Sequence, residues 1–386
     1  MSSTLPGTLT PSLQINPYSI TINRPLLFTR KIAAIMNENA PDSFRFVVCD
    51  DEKILGSGFG GFSRMAVDPP ETRAKLEDRL NIASMSKTLT AAAVLSTLQA
   101  KNLSPDALVA PFLPPDWTLH AQVKKLTFRD FLTHRTGFNQ ATDRSHYAGI
   151  KESMEQGPPN PIQANHDYRN INFSTMRLVL PHLNAYNRFT KQVPPFMMAG
   201  NKPEEALANA YVSIVNQRVL APSGVAPAGC DSKTLNQPPP KPNLPVLLYE
   251  FQQPTKQGVD LGDRTLFCGA EGWSLSVVDY AQFLQTLFFT EIIVSEKNRA
   301  LMMGVGDASG WGLGINRRAP VAGSDVYMHG AWIPVNMGKA QVAGWYMYLQ
   351  TSKLIVVALS NANHKPDAAN WFERVKQAYA EVYAEM

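Results

Sequence analysis

The chain has 386 residues, too many for one small core and few for three domains. Its hydrophobic share of 44% and charged share of 18% describe an ordinary globular protein. The net charge is +4, its basic residues are scattered, and no run of five or more occurs, which argues against a nucleic-acid surface. No stretch of eighteen apolar residues occurs, so no membrane span is expected. The three cysteines, Cys49, Cys230 and Cys268, have neither metal-type spacing nor the makings of a disulfide framework. A reducing compartment fits them best. The start lacks a basic segment followed by a continuous apolar one, so no secretory signal is visible. A cytoplasmic location is the expectation, unless the sequence begins after a removed leader.

In chain order, residues 1–25 are rich in Ser, Thr and Pro and read as an extended arm. Leu26 to Asn37 reads as a helix, with Leu27, Ile32, Ile35 and Met36 near one face. Phe44 to Cys49 is strand-like, Lys53 to Phe59 reads as its return, and Gly58, Gly60 and Gly61 mark a bend. A helix follows from Ser84. Lys125 to His134 reads as a short helix stopped by Gly137, and residues 138–170 as loop. Asn172 to Asn184, Pro203 to Val219 and Ser276 to Phe289 read as helices. Residues 220–246 form a proline-rich loop, of a length that is usually functional or disordered. Strand-like runs then appear at Trp311 to Ile315, Val326 to His329, Val342 to Leu349 and Leu354 to Ser360. A turn is expected at Gln350 to Lys353. A closing helix over Asp367 to Glu385 aligns Trp371, Val375, Tyr379, Val382 and Tyr383. Strands at both ends and helices between them predict an α+β fold. One antiparallel sheet is built from both termini, flanked by helices, with a helical domain inserted. The expected division is an arm at 1–25, a sheet domain at 26–95 and 300–386, and a helical domain at 96–299.

One segment carries nucleophile chemistry. Ser84 and Lys87 stand three residues apart at the head of the apolar run Asn81 to Leu95. That spacing puts both on one face of a helix. A serine hydroxyl is a poor nucleophile until a neighbouring base takes its proton, and a lysine in a dry setting can be that base. A scan finds this Ser-x-x-Lys once. The bland alternative is a surface serine and a solvated lysine. However, no charged residue stands between Lys87 and Lys101, so the helix reads as buried nearly all round. A charge at its mouth then needs a reason.

Four further segments stand in a recognisable order. They are Leu132-Thr133-His134-Arg135-Thr136-Gly137, Tyr168-Arg169-Asn170, Gly272-Trp273-Ser274-Leu275-Ser276, and Tyr327-Met328-His329-Gly330. With Ser84-Met85-Ser86-Lys87 they resemble the serine β-lactamase-like family: class C β-lactamases, family VIII carboxylesterases and penicillin-binding proteins. The resemblance covers roughly residues 26 to 385 and implies an α/β sandwich of the β-lactamase/transpeptidase type. It implies Ser84 as nucleophile, and Lys87 and Tyr168 as proton carriers. Asn170, His329 and Gly330 would lie on the substrate side. The N–H groups of Ser84 and Trp332 would form the oxyanion hole. Ala331 stands where the family usually has glycine. His329 stands where many members have a lysine, which weakens the case for carboxylate-bearing substrates and suits neutral esters or amides. His134 reads as structural despite its place in a motif. Trp273, Trp311, Trp332 and Tyr327 either line a pocket or belong to the core.

The reading is a serine hydrolase that forms an acyl-enzyme on a small ester, thioester or amide, without metal or organic cofactor. Three alternatives stand beside it. One is an acyltransferase serving a small-molecule acceptor, another a β-lactamase or D,D-peptidase, and the third a non-catalytic binding protein of the same fold. The sequence does not fix the oligomeric state.

Overall fold

Both ends of the chain supply the strands of one sheet. The computed structural model describes residues 23–38, 43–163, 165–193, 202–231, 244–250, 253, 255–304, 310–335, 340–362 and 368–384. Helix α1 (Arg24–Glu38) leads into β1 (Ser43–Cys49), β2 (Ile54–Arg64) and the short β3 (Thr72–Arg73) and β4 (Leu80–Asn81). Six helices and a strand pair's second member follow. They are α2 (Ser86–Ala100), α3 (Phe128–Leu132), α4 (Tyr147–Gln156), α5 (Asn170–Ala185), α6 (Pro203–Val215), β5 (Ser274–Leu275) and α7 (Val277–Phe289). Then come α8 (Glu296–Met302), the four strands β6 (Asn316–Val321), β7 (Ser324–Val335), β8 (Ala340–Leu349) and β9 (Leu354–Ser360), and α9 (Ala368–Tyr383).

The seven-stranded sheet has the order β3-β2-β1-β9-β8-β7-β6. Its named pairings are antiparallel, and β1 from the start of the chain pairs with β9 near its end. The strands at the middle read as continuous apolar runs because both faces are covered: β1 and β9 are buried at every residue. Helices α1 and α9 cover one face, where Phe28 and Ile32 meet Trp371, Val375 and Tyr379. The helical segment covers the other, with α2 at its centre. Twelve of the fifteen residues of α2 are buried. The helix runs on to Ala100, so a division after residue 95 falls inside it. Burying each large apolar side chain of such a core contributes about 1.5–3 kcal/mol.

Several expectations are corrected. The glycines at 58 and 60 do not end the strand; with Gly61, which alone of the three has a left-handed φ of +75°, they lie inside β2, which continues to Arg64. Gly58 is pressed against the Phe46 ring and Gly60 against the Phe44 ring, so a side chain there has no room. Residues 138–170 contain α4, whose buried face is only Ile150, Ser153 and Met154. Its first N–H, on Tyr147, is satisfied by Glu204 of α6 at 2.9 Å, a tertiary cap with no local sequence signal. Trp311 to Ile315 is a tight turn and not a strand. Gly314 has φ +79°, Gly312 donates to the Ile315 carbonyl, and the strand starts at Asn316. The short helix expected over 125–134 is confined to α3, and His134, with φ +57°, ends it before Gly137 is reached. Of the proposed arm, residues 1–22 lie outside the described residues, and Arg24 and Pro25 already belong to α1. The centre of the proline-rich loop, 232–243, likewise lies outside them. No helix among the described residues is long and apolar enough to cross a membrane.

Candidate active site

Ser84 sits in a single helical turn, Ala83–Met85, that leads into α2. Three anchors hold this turn. The Asn81 side chain accepts from the Ala83 N–H at 2.7 Å, the Ile82 N–H donates to the Trp273 carbonyl at 2.8 Å, and the Tyr280 hydroxyl donates to the Met85 carbonyl at 2.9 Å. Ala83 is held at φ +46°, a left-handed conformation that an alanine adopts only at a cost. Strain of this kind is stored where surrounding structure fixes a functional geometry.

Lys87 is fully buried, and its ammonium nitrogen meets three acceptors. Nζ lies 2.9 Å from Ser84 Oγ, 2.9 Å from Asn170 Oδ1 and 2.8 Å from the Ala270 carbonyl oxygen. The carbonyl and the amide oxygen can only accept. They take two N–H bonds in either protonation state of the amine. The third position of the nitrogen faces Ser84 Oγ, as a proton when the lysine is charged and as a lone pair when it is neutral. That arrangement can receive the serine proton. Ala270 went unnoticed in the sequence because a backbone carbonyl has no side-chain signature; its closeness to the Gly272-Trp273 segment was the one available hint.

Tyr168 joins the pair. Lys87 Nζ lies 4.9 Å from its ring centroid, within cation–π range. The ring packs against His134 with centroids 4.4 Å apart, against Trp311 at 5.8 Å and against His329 at 6.1 Å. His134 also fixes the backbone beside it, because Nδ1 accepts from the Arg169 N–H at 3.2 Å and lies 3.1 Å from Asn172 Nδ2. This requires an imidazole with a bare Nδ1. Burial, reinforced by Lys87, holds His134 well below the usual histidine range.

His329 is buried on β7, and its value is lowered to about 3 by burial first and by Lys87 second. Its Nδ1 lies 2.9 Å from the Gly330 carbonyl, so Nδ1 carries the proton of the neutral ring. The other nitrogen, Nε2, is buried without a partner among the described residues and is a bare acceptor. β6 pairs with β7 only as far as Met328. Beyond it, the edge of β7 from His329 onward borders the cleft. Trp332 is on this edge and is 61% exposed, its indole N–H donating to Gln341 at 2.8 Å. Ala331, with its neighbours Tyr327 and Ile333, packs into the core on the α2 side.

Ser84, Tyr168, Asn170, Trp311, His329 and Trp332 all line one cleft of about 1090 Å³, roomy for a small-molecule site. The structure therefore brings the sequence-selected residues Ser84, Lys87, Tyr168, Asn170, His329, Gly330 and Trp332 to one place. Of the four aromatics left open, Trp311 and Trp332 line the cleft, whereas Trp273 and Tyr327 are buried in the core. The three cysteines are free and buried. No cluster able to hold a metal occurs among the described residues.

Residues 28–193 match the family model described as Beta-lactamase. Among solved structures, SurE superposes with a TM-score of 0.66 at 17% identity, over 93% of this chain and 76% of that one. The D-amino acid amidase from Ochrobactrum anthropi SV3 gives 0.64 at 14% identity, over 92% and 99%. EstCE1, described as a hydrolase with promiscuous acyltransferase activity, gives 0.63 at 14% identity, over 92% and 99%. At such identities the likeness speaks for the fold alone. No curated protein matches the chain.

Proposed function

We propose that this protein cleaves small neutral esters or amides through an acyl-enzyme on Ser84. The observation that carries the reading is the lysine nitrogen 2.9 Å from Ser84 Oγ, with its two other positions held by Asn170 and Ala270. In the proposed cycle, Lys87 takes the Ser84 proton as Oγ attacks the carbonyl carbon. The resulting oxyanion is held by the N–H groups of Ser84 and Trp332. Tyr168 gives its phenol proton to the departing alcohol or amine and regains one from Lys87, and the acyl group stays on Oγ. Water then attacks the ester, its proton passing to Lys87, and Lys87 returns a proton to Ser84 Oγ as the acid leaves. His329 supports a neutral substrate, because an uncharged ring with a bare Nε2 offers nothing to a carboxylate and accepts a hydrogen bond instead. This disfavours a β-lactamase or D,D-peptidase role. Transfer to an alcohol or amine acceptor uses the same acyl-enzyme and is the second reading, favoured by the likeness to EstCE1.

Turnover of p-nitrophenyl acetate by the wild type, Ser84→Ala and Lys87→Ala, with and without an added alcohol, tests both readings. Ser84→Ala should be inactive with an unchanged circular dichroism spectrum. Lys87→Ala should lose roughly 10²–10⁴-fold in kcat, as for removal of a general base. Acetyl transfer to the alcohol outrunning acid formation would make the protein a transferase. Unchanged turnover by Ser84→Ala would overturn the assignment.

A further inference from the structure

The cleft does not stop at the face of the sheet that carries His329. The same cavity is also bordered by Met328, Gly330, Trp345 and Phe372. In β7, residues 328 and 330 point to the opposite face from 329 and 331, by the alternation of a strand. Met328, Trp345 and Phe372 accordingly belong to the core between the sheet and α9. Gly330 pairs directly with Trp345 across β7 and β8. A Cβ placed on Gly330 would meet nothing within 4 Å. The absent side chain therefore leaves a space beside the Trp345 indole, whose ring packs edge-on against Phe372 with centroids 5.7 Å apart. The Trp345 Nε1–H is buried and has no acceptor among the described residues. Tryptophan N–H groups buried this way ordinarily find a partner. Because β6 leaves β7 at Met328, no strand among the described residues walls the two faces apart beyond that point.

We propose that this space is a subsite for the remote end of the substrate: an apolar chain that passes the edge of β7 at Gly330 and offers an ether, carbonyl or hydroxyl oxygen to Trp345 Nε1–H. The apolar walls supply the burial, and the indole supplies one neutral donor, which selects an uncharged oxygen. Arg318 and Glu373, both exposed, border the same cavity where it meets solvent. The proposal rests on the ester-cleaving reading for the identity of its ligand, and its test separates the two.

The experiment has a kinetic arm and a binding arm. In the first, p-nitrophenyl esters from acetate to decanoate are compared with the same chains ending in a methoxy group. One chain length should show a KM about five- to tenfold lower with the methoxy oxygen, the gain of one hydrogen bond. Trp345→Phe should erase that preference while leaving kcat and acetate turnover unchanged. In the second, 1-methoxyoctane, which Ser84 cannot attack, is titrated into the ¹⁵N-labelled wild type and Ser84→Ala. The indole resonance lost in Trp345→Phe should shift saturably in both. Ester turnover with no methoxy preference and no indole shift would overturn the subsite. An indole shift without any ester turnover would uphold it and remove the hydrolase reading instead.

Discussion

Lys87 and His329 show how burial sets chemistry one side chain at a time. The lysine is out of water, yet each hydrogen-bonding position of its nitrogen meets an oxygen, so its burial is compensated. His329 is buried beside that lysine, and so stays neutral, with a value of about 3. An ordinary histidine titrates near 6.5. Above 6.5 neither the folded nor the unfolded chain carries this charge. As the pH falls below 6.5, the unfolded chain binds a proton that the folded one refuses, so stability is lost progressively toward pH 3. Urea midpoints of wild type and His329→Gln at pH 7 and pH 4.5 check this. The variant should lose less between the two, although His134 adds a loss of the same sign in both proteins. Equal losses would mean that His329 is protonated in the folded state. At this scale the sequence was legible for Ser84, Lys87, Tyr168 and Asn170, polar side chains that the fold gathers at one cleft. It was silent about Ala270, whose contribution is a carbonyl, and about the unpartnered nitrogens of His329 and Trp345. Those depend on neighbours far away in the chain.

The elements were legible where periodicity was strong. Helix α9 was announced by Trp371, Val375 and Tyr379, and β9 by an unbroken apolar run. Helix α4 was missed because its buried stripe is narrow and its cap comes from Glu204 in another helix. Strand β2 was cut short because glycine is read as punctuation, whereas here it makes room. Gly58 faces Phe46 so closely that a built Cβ would lie 2.5 Å from the ring. Gly58→Ala should therefore destabilise the protein by about 1–3 kcal/mol through overpacking, read as a lower urea midpoint at unchanged slope. A neutral or stabilising result would show that β2 is free to shift away from β1.

Across the whole molecule, the two ends of the chain are tied by one buried cation. Arg45 on β1 donates to Asn361 just after β9 at 3.0 Å, to Ser63 on β2, and to Asp78 at 3.0 Å, with no exposed surface of its own. Removing it strands the Asp78 carboxylate and leaves several buried acceptors open. Arg45→Ala should thus cost about 3–5 kcal/mol, measured by denaturant unfolding. A loss under about 1 kcal/mol would show that the network adds little. The same closure of the chain places Ser84 from its first third against β7 from its last. The order of motifs in the sequence could suggest that meeting, and only the sheet order explains it: β9 and β8 lie between β1 and β7.

That meeting point is where the account is most exposed. The direct measurement is intact-mass and peptide analysis after brief exposure to a fluorophosphonate. One adduct per chain should form on the peptide holding Ser84, and Ser84→Ala should show none while melting at an unchanged temperature. An adduct of equal yield on Ser84→Ala, or a wild-type adduct mapped to another serine, would contradict the claim that Lys87 activates Ser84 in this cleft.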